Sequence, residues 1–205
     1  MKLNKMKRLT TKDKQFIEHV KVECKKAGIK ADLRNVGYVK LGPSIRCSGY
    51  FDEVSKTLVC AMNKVDSLEI LLHEYGHFTQ WQDQCKAWTN LGDSIDMMHS
   101  WLDGEEVENI EHHIKISRDV EIDNEKRAVK LIDKFGLSIN KDTYIKRANA
   151  YILFYNHMLT VRRWCRPNNM PYENKRVVAV MPNNFKMNYN KIPKRLMKIY
   201  QEENV

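Results

Sequence analysis

Two histidines four residues apart, with a glutamate beside the first, lie inside an apolar run. The stretch His73-Glu74-Tyr75-Gly76-His77 is embedded among Leu68, Ile70, Leu71, Leu72, Phe78 and Trp81. The apolar spacing predicts a largely buried helix, and Asp66 with Glu69 three residues later forms a capping-box pattern at its start. Two imidazoles on a buried helix are costly unless each finds a hydrogen-bond partner or a metal. Residues i and i+4 project only about 40° apart, so two ring nitrogens can converge on one ion at about 2.0 to 2.1 Å. Glu74, at the edge of the same face, reaches a water beside such an ion rather than the ion itself. Zinc lowers the pKa of that water to about 7, and the carboxylate takes its proton as a polarised carbonyl is attacked. The pattern therefore predicts one Zn2+ per chain, His73 and His77 as ligands and Glu74 as general base.

A third protein ligand is needed. One class of sites takes it from a glycine turn just after the helix, which would require a glycine at position 80 and a histidine at position 83. This chain has Gln80 and Asp83. The helix then continues, and Asp83 is rotated about 240° from His77 and faces elsewhere. A better source is the acidic stretch Glu121-Ile122-Asp123-Asn124-Glu125, which sets two carboxylates at i and i+4 on one helix face. Like charges so placed repel unless a cation or proton intervenes. His99, and then His112 and His113, are histidine alternatives. Tyr151 and Tyr155 are candidates to stabilise developing negative charge.

Elsewhere the chain predicts a mainly helical α+β fold with a small antiparallel sheet ahead of the motif helix. A first helix capped by Thr11 ends at Gly28; strand candidates follow around 36–39, 45–51 and 58–62, joined by Gly-Pro and Asp-Glu-Val-Ser-Lys turns. Helices are expected over about 105–135 and 141–165, with a short one at 193–202. At 205 residues and 42% hydrophobic content, one domain is the expectation, with a core over about 10–165 and residues 166–205 wrapping it.

The net charge of +9 is unevenly spread, with basic ends flanking an acidic block from Asp103 to Glu125. Basic ends suit an acidic partner or nucleic acid, although such runs are more often solvated faces. Five cysteines with no C-x-x-C pair signal neither a disulfide framework nor a thiolate zinc knuckle, and are read as reduced thiols. No apolar run has the length of a signal peptide or membrane span, so a cytoplasmic location and no membrane partner are expected.

The combination of H-E-x-x-H with Glu121 and Glu125 resembles the gluzincin-type metallopeptidases. Within that clan residues 121–128 are similar to E-x-E-A-D-x-x-A, with Glu121, Asp123, Glu125 and Ala128 at matching positions; Asn124 stands for the small residue and Glu125 for the aspartate. The resemblance covers mainly residues 36–135 and is similar in its compact order to ImmA/IrrE-like metallopeptidases. It implies a minimal zincin fold, Glu121 as third zinc ligand, and Glu125 as the acid that orients a ligand histidine, or as the alternative ligand. It also implies a zinc metalloendopeptidase acting on a protein or peptide, with the segment Thr57 to Met62 pairing with extended substrate. A third histidine would instead resemble SprT-like proteases. Residues 140–205 look like segments of small tailed-bacteriophage proteins, which would make the host cytoplasm the location. The alternative reading is a regulatory protein with a structural or vestigial zinc site that binds nucleic acid or a host protein.

Overall fold

The computed structural model describes residues 8–42, 45–166 and 169–205; part of the N-terminal basic end and the proline of the expected Gly-Pro turn lie outside them. The fold is α+β and dominated by helix. In chain order the elements are α1 (Thr11–Lys26), β1 (Lys30–Arg34), β2 (Val39–Leu41), β3 (Ile45–Cys47), β4 (Gly49–Asp52) and β5 (Thr57–Ala61). Then come α2 (Ser67–Gln82), α3 (Lys86–Thr89), α4 (Ser94–Leu102), α5 (Ile110–Phe135), α6 (Lys141–Val161), α7 (Lys175–Ala179) and α8 (Lys194–Glu203). Among the described residues no helix is long and apolar enough to cross a membrane.

The chain divides into two compact units. Unit 1 is Met1–Cys85 with Arg127–Ile139, and unit 2 is Lys86–Lys126 with Asn140–Val205. Helix α5 contributes its last turns to unit 1 and the rest to unit 2.

In unit 1, α1 is capped one residue earlier than predicted. The Thr10 side chain accepts from Asp13 N–H while the Asp13 side chain accepts from Thr10 N–H, a reciprocal capping box. Gly28, at φ +73°, ends the helix, and Ile29 N–H returns to Cys24 C=O at 2.8 Å, a glycine C-terminal motif. Phe16 of α1 packs edge-on against Tyr75 of α2 at 5.7 Å and against Phe135 at 5.2 Å between ring centroids.

The sheet differs from the expected antiparallel one. Its order is β1-β5-β4, with β1 parallel and β4 antiparallel to β5, while β2 and β3 form a separate antiparallel ribbon. Strand β1 escapes a pattern search because only Ala31 and Leu33 alternate with Lys30, Asp32 and Arg34, too short an apolar signal to stand out. A further correction follows. Strand β5, the segment expected to pair with substrate, is the central strand with both edges occupied, so the edges of this sheet are β1 and β4.

In unit 2, α6 is the buried axis. Ala150, Ile152, Leu153 and Phe154 are wholly inaccessible, and Met98, Trp101 and Ile114 belong to the same cluster. The C-terminal segment packs into this core rather than merely covering it: Leu196, Tyr200 and the terminal Val205 are buried, and Tyr200 Oη donates to Ala150 C=O at 2.6 Å. Asn149, buried on α6, donates to the carbonyls of Pro182 at 2.8 Å and Asn184 at 3.0 Å, which fixes the irregular stretch before α8.

Candidate metal centre

Helix α2 carries the motif as predicted, although its start does not follow the capping-box pattern. Asp66 makes no side-chain cap bond, and its carboxylate lies 3.8 Å from Lys64 Nζ instead. The helix is held by burial of Leu68, Leu71, Leu72, Tyr75 and Phe78. His73 and His77 are half-buried on one line of it, with their Nε2 atoms 3.2 Å apart. Two nitrogens at about 2.0 to 2.1 Å from a tetrahedral ion are separated by about 3.3 Å, so this spacing fits a shared zinc.

The ring of His77 is fixed from behind. Its Nδ1 lies 2.9 Å from Oε1 of Gln80, a fully buried side chain one turn along α2. Nδ1–H donates to that oxygen, which leaves the Nε2 lone pair directed at the position shared with His73. Burial pushes the His77 pKa down to about 3, the proximity of His73 adds to the fall, and the bond to Gln80 opposes it. The imidazole is therefore neutral at ordinary pH, the form that can ligate a metal. Sequence reasoning missed Gln80; its signal was a polar residue at i+3 from a histidine on an otherwise apolar helix.

Glu74 is buried at 8% exposure. Strand β4 supports it through Gly49: a Cβ there would stand 3.0 Å from Glu74 Cγ, 2.9 Å from Ile70 Cγ2 and 3.0 Å from the Val59 carbonyl. Only glycine lets the strand lie this close to the helix. Cys47, just before β4, feels the same carboxylate; burial raises its thiol pKa first and Glu74 raises it further. All five cysteines are free thiols, as expected.

Asp83 points away from the motif, as the helical angle requires. It is the C-cap residue of α2, and its carboxylate takes Arg127 Nη1 at 2.6 Å.

Glu121 stands on the unit 2 portion of α5. Tyr155 of α6 hydrogen-bonds to it; burial raises the Tyr155 phenol pKa well above its ordinary value, and the Glu121 charge raises it further. Tyr151 Oη lies 3.3 Å from Tyr155 Oη. The two phenols thus form a short chain ending on the carboxylate, with Tyr151 donating to Tyr155 and Tyr155 to Glu121. Glu125, one turn on, is buried at 5% exposure.

Among the described residues the group of histidine, cysteine and carboxylate side chains able to hold a metal is His73, His77 and Glu121, whose ligand atoms all lie within 4.8 Å of one another. Glu125, His99, His112 and His113 are not in that group; His113 Nδ1 instead meets Ser94 Oγ at 3.2 Å. Two imidazole nitrogens and one carboxylate oxygen are a donor set that suits zinc. No family model matches the chain, and neither a curated protein nor a solved structure matches it.

Proposed function

We propose that this protein is a zinc-dependent hydrolase of minimal zincin fold that cleaves peptide bonds, with His73, His77 and Glu121 holding the ion and Glu74 as general base. The observation that carries the reading is the His73–His77 pair, Nε2 atoms 3.2 Å apart with the His77 tautomer fixed by Gln80. The Glu121 carboxylate adds the third donor. A zinc ion bound by this set supplies Lewis acidity and lowers the pKa of a water to about 7.

The chain's own residues do the rest. Glu74 accepts a proton at its carboxylate from the attacking water and returns it to the leaving amine. Three protein donors among the described residues support a fourth position left for water or substrate, as in catalytic rather than structural sites. Gly49 brings the edge strand β4 against Glu74, which supports an extended peptide adding along that edge.

The test is Glu74→Gln, assayed for hydrolysis of a fluorogenic peptide library and for zinc content by mass spectrometry. The expected result is wild-type zinc with peptide hydrolysis lowered at least a hundredfold. Equal hydrolysis by the variant would sink the assignment of Glu74.

A further inference from the structure

Between Val177 and Gln201 the chain carries Lys186, Lys191, Lys194, Arg195 and Lys198 and no acidic residue. All five are exposed. On α8, Leu196 and Tyr200 are buried, and at 100° per residue Lys194, Arg195 and Lys198 project from the opposite side, while the exposed Lys191 lies three residues before the helix begins. The acids at the end of α8 do not neutralise this row. Glu202 and Glu203 pair with Arg176, and only Lys198 reaches Glu202, at 3.7 Å. Among the described residues Lys186, Lys191, Lys194 and Arg195 have no ion pair.

Folding gains nothing from this arrangement. Lys194 and Arg195 sit in the first turn of α8, at the positive end of the helix dipole, where acids are favoured and none is present. Lys194 and Lys198 are like charges at i and i+4 of the helix, which repel. A row of cations that the helix itself disfavours fits an external polyanion. From Lys194 to Lys198 the helix rises about 6 Å, a span of about two phosphates on each strand of a duplex. No exposed ring accompanies it: Tyr189 and Tyr200 are buried and Phe185 is half-buried, so the stacking platform of a single-strand binder is missing from this stretch.

We propose that this face of unit 2 binds the phosphate backbone of double-stranded nucleic acid without reading its sequence. None of these residues is among those assigned to the metal centre, and the proposal does not depend on the hydrolase reading.

The test uses the full chain and a fluorescein-labelled random duplex of about 20 base pairs, followed by anisotropy from about 50 to 300 mM salt. Wild type is expected to bind with a log–log salt slope of about −3 to −4. The variant K191Q/K194Q/R195Q/K198Q is expected to lose at least tenfold in affinity at low salt and to flatten the slope by 2 or more, with unchanged circular dichroism. The pair K194Q/R195Q should flatten it by about half as much, which keeps the test open if the fourfold variant folds poorly. Unchanged affinity and slope in both variants would overturn the proposal. So would tighter binding of wild type to a single strand of the same length, or to phosphatidylserine vesicles, than to the duplex.

Discussion

His77 Nδ1 donates to Gln80 Oε1 at 2.9 Å, and Gln80 is wholly buried. Its amide oxygen selects the His77 tautomer that leaves Nε2 free. Partners of this kind are worth about 10- to 100-fold in metal affinity. Gln80→Leu is therefore expected to weaken zinc binding by that factor, and Gln80→Glu, which keeps an acceptor at the same reach, to retain most of it. Competition against a chromogenic chelator reads both, and equal affinity for Gln80→Leu and wild type would remove Gln80 from the site.

Tyr155 is expected to act on the carboxylate side in the same manner. Hydrogen bonds to a charged group contribute about 1.5 to 3 kcal/mol, so Tyr155→Phe should release Glu121 and lower zinc affinity by about tenfold or more. Tyr151→Phe should do less, because the hydrogen bond that Tyr151 makes is to the Tyr155 hydroxyl, whereas Tyr155 hydrogen-bonds Glu121 itself. Chelator competition, with thermal melts of the metal-free forms to show intact folding, checks the order of the two effects. A larger loss from Tyr151→Phe would contradict the chain of phenols.

Zinc bound to the native state alone must also stabilise it. At a free concentration a hundred times Kd the gain is about 2.7 kcal/mol. Wild type is expected to melt several degrees higher with zinc than with a chelator, whereas His73→Ala and His77→Ala should show no such difference. A zinc-dependent rise retained in both variants would place the ion elsewhere.

The motif helix was legible because its chemistry is local. Four residues on a helix set both histidines on one line, and the surrounding leucines and aromatics announce burial. The mismatch at Gln80 and Asp83 correctly predicted that Asp83 faces away, but the use made of Gln80 was not foreseen. Glu121 could be named from its i, i+4 partner and a family resemblance, whereas Tyr155 could not be singled out, since its contact with Glu121 spans a separation that carries no periodic signal. The sheet was least legible. Strand β1 has two apolar residues, and its parallel pairing with β5 is a long-range choice made by the chain between them. The capping pattern at Asp66 did not carry over because its backbone, at φ −99° and ψ 12°, is not in the extended conformation that turns a cap side chain onto the first N–H groups.

Asp13 gives unit 1 an acid-sensitive clamp. Its buried carboxylate accepts from Thr10 N–H at 2.8 Å, Ser138 N–H at 2.9 Å and Ser138 Oγ at 2.6 Å. Burial alone would raise its pKa, but the bonds from Ser138 and Thr10 outweigh it and the value lies below the ordinary 3.8. A carboxyl whose folded pKa is depressed contributes stability above its unfolded pKa and loses it as pH falls through the folded value. Asp13→Ala should thus cost about 2 to 4 kcal/mol at neutral pH, with the difference from wild type shrinking below about pH 4. Urea titrations at pH 7 and pH 3 measure it, and a difference that grows toward pH 3 would reverse the sign of the argument.

Gly49 is where fold and chemistry meet most closely. A Cβ at this position would stand 2.9 Å from Ile70 Cγ2, 3.0 Å from Glu74 Cγ and 3.0 Å from the Val59 carbonyl oxygen. The two side-chain atoms can turn aside, but the carbonyl belongs to β5, where Gly49 faces Cys60 in the ladder, so the strand or the helix must shift. Overpacking of this kind costs about 1 to 3 kcal/mol. Because one of the displaced atoms is the stem of Glu74, Gly49→Ala should also lower peptide hydrolysis more than it lowers zinc affinity, a split that a uniformly loosened fold would not give. Comparing kcat, zinc content and melting temperature of Gly49→Ala with those of Ile70→Ala in the Gly49→Ala background separates the effects, because alanine at position 70 removes the Cγ2 atom that meets the new Cβ. Relief of the Ile70 contact should restore stability before activity, and full recovery of both would show that Glu74 was never displaced.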